Sequence, residues 1–237
     1  MKKQLKTLHF LFALPLFLGL YPKTSWSQEN KLTIVSDFRL YEKNIERNQE
    51  LKLVNINEFV KYLKIDLRYA TTNNFTGQRL YPNNLSSPYL ILKAASALKL
   101  VAAELQNKGY GIKIFDAYRP YYVTERFWEL IKDERYVANP AKGSGHNRGT
   151  AVDLTLFDIK TEQELNMGTG FDNFSDSAHH SFKNLSSEVL DNRKLLKETM
   201  EKFGFIALET EWWHYALPNP TNYPILNIDF KKIQRKL

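Results

Sequence analysis

The chain has no cysteine among its 237 residues, which excludes disulfide staples and a lipid anchor attached through an N-terminal cysteine. Stability must come from a packed core, and roughly 210 residues beyond the leader described below are enough for one. Long apolar runs are also scarce. Leu8 to Tyr21 is an almost unbroken one, but at about 14 residues it falls short of the roughly 20 needed to span a bilayer, so no stable membrane anchor is expected. No internal repeat and no low-complexity linker divides the chain. A strong charge of one sign is missing as well. The formal net charge is +7, and removing the four lysines of residues 1–27 lowers it to +3. The remaining Lys and Arg residues are scattered, and the basic run Lys231 to Lys236 is a short, solvated tail. Nucleic acid is therefore not an expected partner.

What is present begins with a leader. Lys2, Lys3 and Lys6 precede the apolar run, and Ser25-Trp26-Ser27 places small residues at the −3 and −1 positions of a cleavage site. Residues 1–27 are read as a signal peptide that exports the chain to the periplasm, residues 28–55 as a mixed, polar N-terminal arm, and residues 56–237 as the main domain. Leu63, Ile65, Leu67 and Tyr69 alternate with polar residues as in a half-buried strand. Ser87-Pro88 opens a helix with Ile91, Leu92, Ala95, Leu98, Ala102 and Leu105 on one face, ended by Gly109. Ile112–Phe115 and Ala151–Phe157 read as strands, 121–133 and Glu188–Phe203 as helices, and Phe205–Leu208 as the start of the last strand. Strands and helices interleave without a repeating βαβ unit. The expected fold is α+β, a single domain with a small, mostly antiparallel sheet flanked by helices.

The chemistry concentrates in two segments, Ser144 to Asp153 and Glu211-Trp212-Trp213-His214. His146, Asp153 and His214 supply two imidazoles and a carboxylate, the number of N/O donors that a catalytic zinc takes from protein while leaving a position for water. Asp153 lies inside the apolar run Ala-Val-Asp-Leu-Thr-Leu, where a charge is costly unless paired or bound to metal. An Asp hydrogen-bonded by a neighbouring turn is the plainer alternative. Glu211, three residues before His214, is placed to handle the proton of a zinc-bound water, although Glu209 competes on spacing. Arg119, in Asp116-Ala117-Tyr118-Arg119-Pro120, is a candidate donor to a developing oxyanion, or else a structural partner of Asp116.

These residues in this order resemble the D-alanyl-D-alanine dipeptidases, a branch of the zinc D,D-peptidase superfamily. The likeness runs from Leu67-Arg68-Tyr69-Ala70-Thr71 and Asn74-Phe75-Thr76-Gly77, through Asp116 to Pro120, Ser144-x-His146 and Gly149-x-Ala151-x-Asp153, to Glu211-Trp212-Trp213-His214-Tyr215. The resemblance implies one zinc ion per chain held by His146, Asp153 and His214. It implies Glu211 as general base and acid, and Arg119 as transition-state stabiliser. Met167 to Asp172 also matches, which implies that Asp172 helps define a small substrate pocket, and Ser144 matches a serine that contacts the substrate carboxylate. The implied reaction is hydrolysis of a small D,D-dipeptide, D-Ala-D-Ala, to two D-alanines. His179-His180 aligns with a pair outside the metal set, expected in loop packing. Gly145 departs from relatives that carry serine there, with little consequence expected.

A zinc D,D- or L,D-carboxypeptidase that trims peptidoglycan stem peptides would use the same metal chemistry in a more open cleft. Non-haem iron oxygenases also use two His and a carboxylate, but their ligands open with His-x-Asp and their chemistry does not call for Glu211. A non-catalytic zinc module is expected to lack the base.

Overall fold

The computed structural model describes residues 32–236, so the expected leader lies outside the described residues. Of the expected arm, residues 32–55 carry β1 (Ile34–Val35), α1 (Phe38–Arg47) and β2 (Leu53–Asn55). Asp37 caps α1 by accepting from Leu40 N at 2.8 Å, which satisfies a donor that the helix start leaves free. Tyr41 then turns inward, fully buried, and its hydroxyl accepts from Leu53 N at 2.6 Å.

The elements that follow are β3 (Leu63–Ile65), β4 (Tyr89–Ile91), α2 (Leu92–Asn107), β5 (Tyr110–Asp116) and α3 (Tyr121–Leu130). They are succeeded by β6 (Ala151–Asp158), α4 (Ser187–Lys202), β7 (Ile206–Ala207), β8 (His214–Ala216), β9 (Ile225–Leu226) and α5 (Phe230–Lys236). A five-stranded sheet in the order β3-β5-β6-β8-β7 forms the centre. Only β3 and β5 run parallel in it; the other pairs are antiparallel. Two short pairs lie outside this sheet, β2 with β4 and β1 with β9. The α+β expectation holds.

Several boundaries moved: the helix expected over 121–133 ends at Leu130, and the strand expected to be the last, Ile206–Ala207, is followed by β8 and β9. The helix expected from Ser87-Pro88 begins at Leu92, because Tyr89–Ile91 is drawn into pairing with β2. The alternating pattern from Leu63 gives a strand only as far as Ile65. A short 3-10 turn, Arg68–Ala70, then swings Tyr69 into the core, where its carbonyl accepts from Leu80 N and Tyr81 N.

Strand β6 is buried along seven of its eight residues, as its near-continuous apolar run requires of a central strand. Its start is set by Gly149, which ends the 3-10 turn His146–Arg148 at φ +64°. A Cβ there would meet Leu53 Cδ2 at 2.9 Å and Ile91 N at 3.2 Å, while Gly149 O accepts from Ile91 N at 2.9 Å. A left-handed non-glycine residue typically costs about 1–3 kcal/mol. Gly149→Ala is therefore expected to lower stability by at least about that much, read as a reduced denaturant midpoint. An unchanged midpoint would mean that β2 and β4 yield freely to a side chain.

Candidate active site

Three neighbouring strands bring distant residues into one row. Asp153 of β6 pairs with His214 of β8 on one side and with Asp116 of β5 on the other. The register of β5 shifts between Ile114 and Asp116, a bulge that lets Asp116 take the place opposite Asp153. His146 reaches this row from the turn before β6. That turn is bolted to the end of β5: Arg119 N donates to His146 O at 3.1 Å, and Asn147 Nδ2 donates to Arg119 O at 2.9 Å.

His146, Asp153 and His214 form a cluster of metal-ligating type. His146 Nδ1 lies 2.7 Å from the carbonyl of Ala117. A carbonyl only accepts, so Nδ1 carries the proton and Nε2 presents a bare lone pair. Nε2 is 3.1 Å from His214 Nδ1 and 3.3 Å from Asp153 Oδ2, and His214 Nδ1 is 2.9 Å from Asp153 Oδ1. A tetrahedral ion with bonds of about 2.0–2.1 Å separates its ligand atoms by about 3.3 Å. The spacing and the donor types both fit such an ion. Two imidazole nitrogens crowded onto a buried carboxylate are otherwise short of protons to share.

The cluster opens into a cavity of about 240 Å³ lined among others by Tyr69, Arg119, Ser144, Asp172, Glu211 and Trp213. All seven residues singled out in the sequence thus line one cavity. Glu211 Oε2 lies 3.9 Å from His214 Nδ1. Glu209 is turned away on the tight connection between β7 and β8, where its carboxylate accepts from Ser181 N at 2.8 Å. Of the two acids, Glu211 is the one that lines the cavity. Arg119 is paired with Asp116 and also lines the cavity: Nε and Nη2 donate to Asp116 Oδ2 at 3.0 and 2.7 Å, and Nη1 has no bond among the described residues. Ser144 Oγ accepts from Asn147 N at 3.2 Å, which fixes the residue at the cavity wall. Asp172 accepts from the Tyr69 hydroxyl at 3.1 and 3.2 Å. Gly145 is tighter than expected, since a Cβ there would fall 2.9 Å from Ala151 Cβ.

Burial controls the charges. It pushes the Glu211 carboxyl up to about 7, with the Asp153 charge adding to this and His214 opposing it. Burial, reinforced by the charges of Asp153 and Glu211, pushes Asp172 well above the usual carboxylate range. Burial acts the same way on Asp153, but His146 and His214 outweigh it and hold that carboxyl well below its ordinary value. At Arg119 burial opposes the charge, yet Asp116 beside it keeps the guanidinium firmly protonated.

Two participants were not assigned to the site from the sequence. Tyr69 holds Asp172, and Tyr81 donates to Asp116 Oδ1 at 2.6 Å from behind Arg119. Both hydroxyls reach partners far away in the chain, so no local spacing marks them. The His179-His180 pair lies outside the cavity, with His180 Nε2 buried and without a partner among the described residues.

The chain is similar to D-alanyl-D-alanine dipeptidases from several bacteria. The protein from Escherichia coli K12 is 35% identical over 76% of this chain and 91% of its own length. The one from Enterococcus faecium is 31% identical over 73% of this chain and 96% of its own. Among solved structures, VanYB in complex with D-alanine-D-alanine aligns at 16% identity over 58% of this chain and 76% of that one, with a TM-score of 0.38, which is too distant to bear on function. The family described as D-ala-D-ala dipeptidase matches residues 49–233. With that span matched and such relatives covered almost end to end, the chain belongs to the D-Ala-D-Ala dipeptidase family of metallopeptidases.

Proposed function

We propose that the protein hydrolyses D-Ala-D-Ala to two D-alanines, using one zinc ion per chain held by His146 Nε2, Asp153 and His214 Nδ1. The observation that carries this reading is the convergence of three lone-pair donors with a buried, raised-pKa carboxyl, Glu211, in one small cavity. Family membership supports the substrate, because the relatives bear that activity in their names. Zinc, when bound, supplies a Lewis acid and lowers the pKa of water toward neutrality.

The chain's own residues do the rest. Glu211 takes a proton from the attacking water and returns one to the leaving amine. Arg119 is held by Asp116 and Tyr81, so its free Nη1 needs no reorganisation to donate to the carbonyl oxygen as negative charge develops there. Asp172 receives the substrate ammonium, which relieves the repulsion that Asp153 and Glu211 impose on it. Ser144 donates to the substrate carboxylate. A cavity of about 240 Å³ lies below the roughly 300–1,000 Å³ of ordinary ligand pockets and suits two residues rather than a wall peptide. Residues 1–27 serve in this reading as an export signal, residues 28–55 as an arm and residues 56–237 as the catalytic domain, working in the periplasm.

Dialysis against a chelator is expected to abolish D-alanine release and to lower Tm, since an ion that binds only the folded state stabilises it by mass action. Zinc should restore both. Full activity after exhaustive chelation would refute the metal-dependent reading.

A further inference from the structure

The segment that carries Asp172 is tied at both ends to a single side chain outside the cavity. Arg193 of α4 is 5% exposed. Its Nε donates to Met167 O at 2.7 Å, Nη2 to Ser177 O at 2.8 Å and Nη1 to His179 O at 3.2 Å. Met167 and Ser177 bracket the loop on which Asp172 sits. All these bonds go to main-chain carbonyls, so the buried charge is answered by peptide dipoles and by the face of Trp212, 6.0 Å away. That arrangement uses the planar fork of a guanidinium, which a single ammonium cannot reproduce.

The loop needs such a tie. Asp172 itself holds φ +59°, a strained conformation for a non-glycine residue that persists only where the surroundings over-determine it. Gly168, at φ +80°, lets the chain pass against α4, where a Cβ would lie 2.8 Å from Val189 Cγ1. Trp212 Nε1 adds a bond to Thr169 Oγ1 at 2.8 Å, and Phe171 stacks on Phe115 with ring centroids 4.8 Å apart.

We propose that Arg193 is a positioning residue for recognition of the substrate amine: by stapling Met167, Ser177 and His179 together it fixes where the Asp172 carboxylate meets the ammonium. The proposal rests on the dipeptidase reading. Arg193 touches neither substrate nor metal ligands, so its loss loosens the amine site and leaves the zinc cluster and Glu211 in place. The consequence is a split between binding and turnover.

The test compares wild type with Arg193→Lys, both loaded with zinc. The substrates are D-Ala-D-Ala and its N-acetyl derivative, and backbone hydrogen exchange is followed in parallel. In Arg193→Lys, KM for D-Ala-D-Ala should rise about tenfold or more, the scale of a lost charge-assisted contact. kcat and zinc content should stay near wild type, the preference for the free amine should shrink, and exchange should quicken across residues 168–178 but not in β6. Thr169→Val, a milder cut at the same segment, should move KM in the same direction if the lysine variant does not fold. Unchanged KM and amine preference alongside a lowered Tm would make Arg193 a structural residue only and overturn the proposal. If wild type does not cleave D-Ala-D-Ala, the dipeptidase reading fails by itself. The staple is then judged by exchange alone: faster exchange confined to 168–178 supports it, and unchanged exchange overturns it.

Discussion

Replacing Glu211 by Gln is expected to lower kcat by about 10²–10⁴-fold, the usual worth of a positioned general base, with zinc content at the wild-type level. Gln keeps the shape of the side chain, so the cavity and the three-donor cluster remain. What goes is the acceptor for the proton of the attacking water. In the metal-free protein, burial places this carboxyl at about 7, and a dication nearby draws it lower. The base must be ionised to act, so kcat/KM of the zinc enzyme should fall on the acid side of a pKa between 4.5 and 7. Stability follows the same group. Its folded pKa lies above the unfolded one, so its contribution is present at low pH and is lost as pH rises through about 7. The Tm of the metal-free Gln variant should lack that loss. Steady-state kinetics with metal analysis decides the matter, and a variant that keeps a tenth or more of wild-type kcat would remove Glu211 from the mechanism.

Arg119→Lys should cost about 10²–10³ in kcat, as loss of an oxyanion donor does, with KM and zinc content little changed. The guanidinium serves two masters. Nε and Nη2 neutralise buried Asp116, while Nη1 has no bond among the described residues and Arg119 lines the cavity. A lysine can satisfy Asp116 or point at the substrate, but not both in a fixed geometry. The rings of Phe127 and Tyr69, with centroids 4.6 and 5.3 Å from Arg119 Cζ, wall off other positions. Retention of kcat within about threefold, far less than a lost oxyanion donor costs, would show that Arg119 is a bridge to Asp116 and nothing more.

The donor set was legible because buried charge is expensive and few residue types bind metal. An Asp in the middle of the apolar β6 run, a His between small residues and a His after two tryptophans each stand out. Their assembly into a row was not legible, since it depends on strand register and on the bulge before Asp116. The start of α2 was misplaced for a similar reason: Ser87-Pro88 is a sound local start signal, yet β2, far back in the chain, claims Tyr89–Ile91. Spacing could not tell Glu211 from Glu209, because it is the tight connection between β7 and β8 that puts one in the cavity wall and the other against Ser181. Arg193 was not singled out within the helix expected over Glu188–Phe203. Only the fold of the loop from Met167 to His179 makes it a buried staple.

The most direct measurement is release of free D-alanine by the zinc-loaded protein from D-Ala-D-Ala, with a wall pentapeptide ending in D-Ala-D-Ala run beside it. The small cavity, and the amine contact proposed for Asp172, predict rapid cleavage of the dipeptide and none of the pentapeptide. Cleavage of the pentapeptide in place of the dipeptide would contradict the account and make the protein a carboxypeptidase, and cleavage of neither by zinc-loaded protein would contradict the assigned substrate altogether.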